Sequence, residues 1–164
     1  PTPMGWIAPD GRYVYFLNDQ QGNELGHLNR VPFEGGAFED VTPTLPPYTL
    51  RGVGLSRNGQ RLAFDAVNAE GFQLYCVQVG PDHELSEPRL IFKSEKEAWG
   101  ALLSSDGTLA AMISTARAGG QRRRSLLAID TADGHLVGEV WDGPQADIEI
   151  ITFSPLQEDQ RILA

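Results

Sequence analysis

The sequence predicts an all-β chain made of repeated units of four antiparallel strands, and three observations predict it. A short marker recurs in register: Ala8-Pro9-Asp10-Gly11, Ser56-Arg57-Asn58-Gly59 and Ser104-Ser105-Asp106-Gly107 stand 48 residues apart, and a fourth copy opens at Ser154-Pro155, 50 residues further on. Around each marker the apolar residues alternate with a period of two, the signature of a strand with one face in a core. Finally, 18 glycines and 11 prolines in 164 residues suit many short strands separated by turns.

Each unit opens with a hairpin. The runs "GWIA", "VGL", "ALL" and "EIITF" precede the markers, and Val14 with Phe16 corresponds to Leu62 with Phe64 and to Ala110 with Met112. These pairs are expected to point into a core. Asn-Gly and Asp-Gly between two such runs favour a tight hairpin, because both types tolerate positive φ. A third strand is read at 27–33, 72–79 and 124–130, and a fourth at 38–42, 89–93 and 136–141. Turn residues such as "NDQQGNE", "NAEG", "EGG" and "TADG" supply the connections.

Four antiparallel strands repeated every 40–50 residues are the pattern of a β-propeller blade. The predicted fold is therefore a partial β-propeller: a single incomplete propeller domain over 1–164, with blades at 4–46, 50–94 and 98–145 and the start of a further blade at 147–164. About three and a half blades fall short of the usual ring of four to eight. The expectation is a segment of a longer protein, and the alternative is a ring completed from two copies.

The series "APDG", "SRNG", "SSDG", "FSP", followed by "YVYF", "RLAF" and "LAAM", resembles the Pro-Asp-Gly repeat of TolB-like proteins and of the amino-terminal propellers of the prolyl oligopeptidase family. The runs "EAWGALLSSDGTLAA", "RRRSLLAIDTADG" and "FSPLQEDQRILA" resemble the peptidase side, in its acylaminoacyl- or dipeptidyl-peptidase-like members. That resemblance implies a serine peptidase whose α/β-hydrolase domain accompanies the propeller in the same parent chain. The propeller would then limit access to peptides. The family's Gly-x-Ser-x-Gly elbow does not occur in the 164 residues, so no catalytic residue carries over. The alternative is a TolB-like scaffold that binds a protein or peptide and has no enzymatic domain. A propeller with its own sugar or ligand site is a third reading, and it lacks a recurring set of polar residues at one end of the blades.

Composition narrows the partners. A net charge of −9 and a pI near 4.7 argue against nucleic acid. No apolar run reaches the roughly 18 residues of a membrane span. A single cysteine, Cys76, rules out an internal disulfide framework and favours a reducing compartment, which points to the cytoplasm.

No catalytic, cofactor-binding or metal-binding residue is assigned from the sequence. His27, His83 and His135 fall in different blades without ligand spacing, and read as strand or loop histidines. Ser56, Ser104 and Ser154 recur with the marker, which argues for turn structure over a nucleophile. Asp10 and Asp106 read as turn residues, because Gly107 follows Asp106 directly and Asn58 fills the same slot. Cys76 lies in a third strand and reads as a small buried hydrophobe. Trp6, Trp99 and Trp141 occupy non-equivalent repeat positions, and packing is their expected role. Arg122-Arg123-Arg124 reads as a solvated loop entering a strand in preference to a docking patch for an acidic surface or a carboxylate.

Overall fold

A computed structural model describes residues 4–19, 22–149, 151–156 and 159–164. Gln20 and Gln21 of the first loop, Ile150 of "EIITF", and Gln157 and Glu158 of "LQED" lie outside the described residues. Fourteen strands form three four-stranded antiparallel sheets and one two-stranded sheet, each in simple sequence order. The first sheet holds β1 (Gly5–Ile7), β2 (Tyr13–Asp19), β3 (Gly26–Pro32) and β4 (Glu39–Asp40). The second holds β5 (Thr49–Leu55), β6 (Arg61–Asn68), β7 (Gly71–Gln78) and β8 (Arg89–Ser94). The third holds β9 (Ala98–Leu103), β10 (Leu109–Ser114), β11 (Ser125–Asp130) and β12 (Leu136–Val140). The last holds β13 (Thr152–Phe153) and β14 (Ile162–Leu163). This is a β-propeller arc, and no described helix is long and apolar enough to cross a membrane.

The period-two alternation decides which way each sheet looks. Leu62, Phe64, Tyr75 and Val77 of the second sheet turn toward the first and bury against Tyr15, Leu28, Val41 and Tyr48. There the Phe64 ring stacks between Tyr48 at 5.6 Å and Tyr75 at 5.2 Å. Intervening residues Ala63, Leu74 and Cys76 turn the other way, onto Ala110, Met112, Leu127 and Ile129 of the third sheet. A third core, Ala111 and Leu126 with Phe153, fastens the two-stranded sheet. Each full burial of a large apolar side chain contributes about 1.5–3 kcal/mol, so these faces hold the sheets side by side.

One expectation changes here. Val14 and Phe16 occupy the repeat positions of Leu62 and Phe64 but are only half-buried, beside the exposed Ile7 and Phe38. They belong to the face that looks away from the second sheet, where no sheet among the described residues packs on them. Their chemistry matches their repeat equivalents; their environment does not.

The inner strands approach closely. A Cβ placed on Gly54 of β5 would lie 1.7 Å from the Ala101 carbonyl oxygen of β9, so glycine is what lets the second and third sheets meet.

Candidate functional site

The marker turns gather on one face of the arc, and their geometry differs from a two-residue hairpin. The Ser56 N–H donates to the Arg61 carbonyl at 3.0 Å, and the Gly59 N–H donates to the Ser56 carbonyl at 2.9 Å, giving a four-residue loop. Only the glycine is left-handed: φ is +73° at Gly11, +72° at Gly59 and +75° at Gly107. Asp10, Asn58 and Asp106 act through their side chains. Each Oδ1 accepts the backbone N–H two residues on, at 3.0 Å in all three turns. The positive-φ argument therefore holds for the second residue of the pair alone, and the first is an Asx acceptor.

The recurring serines are used up in the same device. Ser56 Oγ donates to Asn58 Oδ1 at 2.7 Å and accepts the Arg61 N–H at 2.9 Å. Ser104 repeats this with Asp106 and Leu109, at 2.6 and 3.0 Å. In the fourth turn Ser154 accepts the Leu156 N–H, and its own N–H closes the loop on the Arg161 carbonyl. Although burial opposes it, the donors Ser104, Thr108 and Gln160 hold the Asp106 carboxyl down to about 2.

Turns two, three and four are tied to one another. Asn58 reaches the third turn through Nδ2, and Gln160 Nε2 donates to Asp106 Oδ2 at 2.9 Å and to Thr108 Oγ1 at 2.8 Å. Between turns one and two lies instead an open groove of about 690 Å³, lined by Asp10, Arg57, Asn58, Arg61, His83 and Glu84 among others. This polar groove is the candidate binding site, since concave sites with a few converging polar groups are where ligands seat.

His83 is the hub of its far wall, a role that the sequence does not announce. It lies on the β7–β8 loop with φ at +64°, a rare state for a residue with a Cβ. Its carbonyl accepts from Arg30 Nη1 at 2.7 Å, and its Nε2 accepts from Arg12 Nη1 at 3.2 Å. Nδ1 faces Asp10 Oδ2 at 3.6 Å, and the ring rests 5.5 Å from that of Tyr13. Arg30, itself buried, lies over the Tyr13 ring and bonds Glu39 at 2.7 Å. A loop of the second sheet is thereby locked onto the first.

The other singled-out residues are placed as follows. His27 Nδ1 donates to Asp40 Oδ2 at 2.7 Å, and its Nε2 is buried without a partner among the described residues. His135 comes within 4.8 Å of Asp130 and Asp133, but both carboxylates already accept backbone N–H bonds of their own turn, from Ala132 and His135. Burial pushes the Cys76 thiol up, which disfavours the reactive thiolate. Trp6 packs into the first core.

One reading is corrected. Arg124 is not solvated: only 16% of its side chain is exposed, and both its N–H and its Nε donate to Asp147 at 2.8 Å. Trp99 shares its repeat position with no other tryptophan, as expected; Arg51 stands there, 48 residues earlier. Arg51 lies 5.9 Å from the Trp99 ring and Arg124 5.4 Å from it. Arg51 also faces Glu97 at 3.6 Å. This cation–π cluster sits at the opposite ends of the inner strands from the marker turns.

Neither a protein-family profile nor the sequence of a curated protein matches the chain. Solved structures resemble it in fold. TolB from Acinetobacter baumannii superposes with a TM-score of 0.64 at 14% identity, covering 96% of this chain and 36% of TolB. The β-propeller domain of the Trilobed protease from Pyrococcus furiosus gives 0.59 at 11%, covering 82% and 41%. A prolyl endopeptidase structure gives 0.59 at 9%, covering 81% and 21%. The chain thus spans less than half the length of each, and the fold it shares with them is a β-propeller.

Proposed function

We propose that the chain is a non-catalytic propeller segment of a serine peptidase of the prolyl oligopeptidase family, cytoplasmic, which limits peptide access to an α/β-hydrolase domain of the same parent chain. The observation that carries the reading is the uncovered face of the first sheet. Ile7, Val14, Phe16 and Phe38 lie on it, and the repeat equivalents of Val14 and Phe16 in the second and third sheets are buried against the preceding sheet. An apolar face of this kind fits further blades of one ring. Likeness to two protease propellers supports the peptidase parent, and the polar groove beside His83 would be met by peptides in transit. Nucleic acid and membrane have no part in this reading.

The TolB-like scaffold is the second reading, supported by the likeness in fold to TolB. Reading the frame on both sides of the segment and treating the parent with a fluorophosphonate separates the two. Further blades with a Gly-x-Ser-x-Gly elbow and a labelled serine are expected. A closed propeller with no labelled serine sinks the peptidase reading and leaves the scaffold.

A further inference from the structure

Asp65 is the one charged residue in the middle of the run "LAFDAV", and it is 2% exposed. Leu17 and Ile113 stand at its repeat positions, so the pattern does not ask for an acid there. Its surroundings use it. Strand β9 carries a bulge where Ala111 and Ile113 of β10 lose register, and the bulge frees two backbone N–H groups. Asp65 Oδ2 accepts both, from Gly100 at 2.6 Å and from Ala101 at 3.0 Å. The carboxyl therefore fastens the second sheet to the third across their interface.

Its other oxygen, Oδ1, is buried with no partner among the described residues. A second bulge, between Leu50 and Gly52 of β5, sets Gly52 opposite Asp65 and leaves Arg51 unpaired in the ladder, its charge acting on this carboxyl. Charged and titratable groups on the packed elements are Arg51 on β5, Glu97 just before β9, the Cys76 thiol on the same face of β7 with Arg61 and Arg89 acting on it, and Arg124 at the Trp99 ring. Arg51 is the cation that acts on Asp65, and it is engaged with Glu97 and the Trp99 ring. An ionised Asp65 would thus leave a buried oxygen uncompensated while a cation stands nearby. Burial raises this carboxyl to about 7, against the two backbone N–H bonds and Arg51, so both forms are populated near neutrality.

We propose that Asp65 is a proton-operated latch on Arg51 at the seam of the second and third sheets: in both forms it accepts the Gly100 and Ala101 N–H groups and holds the β9 bulge; neutral, it leaves Arg51 with Glu97; ionised, it draws the Arg51 guanidinium off Glu97 and the Trp99 ring. The latch is independent of whether the parent is a peptidase.

Trp99 is the reporter. In a Trp6→Phe, Trp141→Phe background of the full chain, its fluorescence is followed from pH 5 to 9, together with exchange of the Gly100 amide. The expected result is a single transition with a midpoint near 7, absent in Asp65→Asn. Arg51→Met removes the responder, so the Trp99 transition is lost while the midpoint read by Gly100 amide exchange rises. A flat profile in the folded parent overturns the proposal, and so does a transition that survives in Asp65→Asn. Should Asp65→Asn not fold, an unmoved midpoint in Arg51→Met overturns it as well.

Discussion

Asn58 and Asp106 are 48 residues apart in the sequence and in contact in the fold. The Asn58 Nδ2 donates to the Asp106 carbonyl at 2.9 Å, and the Asn58 N–H reaches the Ser105 carbonyl at 3.2 Å. The same two residues hold the same slot in consecutive markers, so the repeat is bonded to its own next copy.

Asn58 consequently does more than shape its loop. Asn58→Ala removes the acceptor for Gln60 and Ser56 and the donor to Asp106, and a loss of about 1–2 kcal/mol is expected in urea unfolding. Asn58→Asp keeps the acceptor and loses the cross-turn donor together with the longer bond to Gln60 Oε1, so it falls between wild type and alanine. Equal losses for the two variants mean that the turn-to-turn bond carries the whole effect.

Two glycines in strands are expected to behave oppositely. Gly54→Ala drives a Cβ into the Ala101 carbonyl, where both partners are backbone, and at least about 3 kcal/mol is expected to be lost. Gly138→Ala on β12 meets open space and stays within about 0.5 kcal/mol of wild type. Thermal unfolding of the pair tests the close approach of β5 and β9; a Gly54→Ala chain as stable as wild type refutes it.

Repeat-equivalent phenylalanines separate chemistry from environment. Phe64→Ala empties a fully buried site and costs about 3–5 kcal/mol. Phe16→Ala, on the uncovered face, costs far less in this chain. A Phe16→Ala, Phe38→Ala double variant is expected to bind less of an apolar dye while keeping its unfolding midpoint close to wild type.

Asp65 and Asp106 impose opposite pH dependences. Asp65 is held up to about 7 when folded against 3.8 unfolded, so folding takes up a proton between these values. Its contribution is complete below about pH 4 and is lost as pH rises to 7, on the order of 4 kcal/mol at most. Asp106, held down to about 2, stabilises above about pH 4 and loses that contribution as pH falls through 2. Urea midpoints against pH are expected to lose the slope between 4 and 7 in Asp65→Asn, and to lose part of the acid limb in Asp106→Asn.

The hairpins and the third and fourth strands were legible because repeat spacing and period-two alternation report backbone geometry directly. Bulges leave no such trace. Arg51 and Gly100 look like ordinary strand residues, and only the register between strands shows that their backbones turn aside. His83 was hidden for a related reason, since a loop residue's long-range partners depend on where the loop is folded back. Asp65 did carry a signal, a lone acid inside an apolar strand, and its meaning required the neighbouring sheet. Arg124 looked solvated because three arginines in a row suggest exposure, while its partner Asp147 lies 23 residues on.

The two-stranded sheet β13–β14 keeps its place with half the strands of its neighbours, through Phe153 in the third core and Gln160 on the third turn. Both anchors lie on the third sheet, so the packing of the first two does not depend on this hairpin. A chain stopped at Val140 is expected to resist protease through its first two sheets as well as the longer chain does.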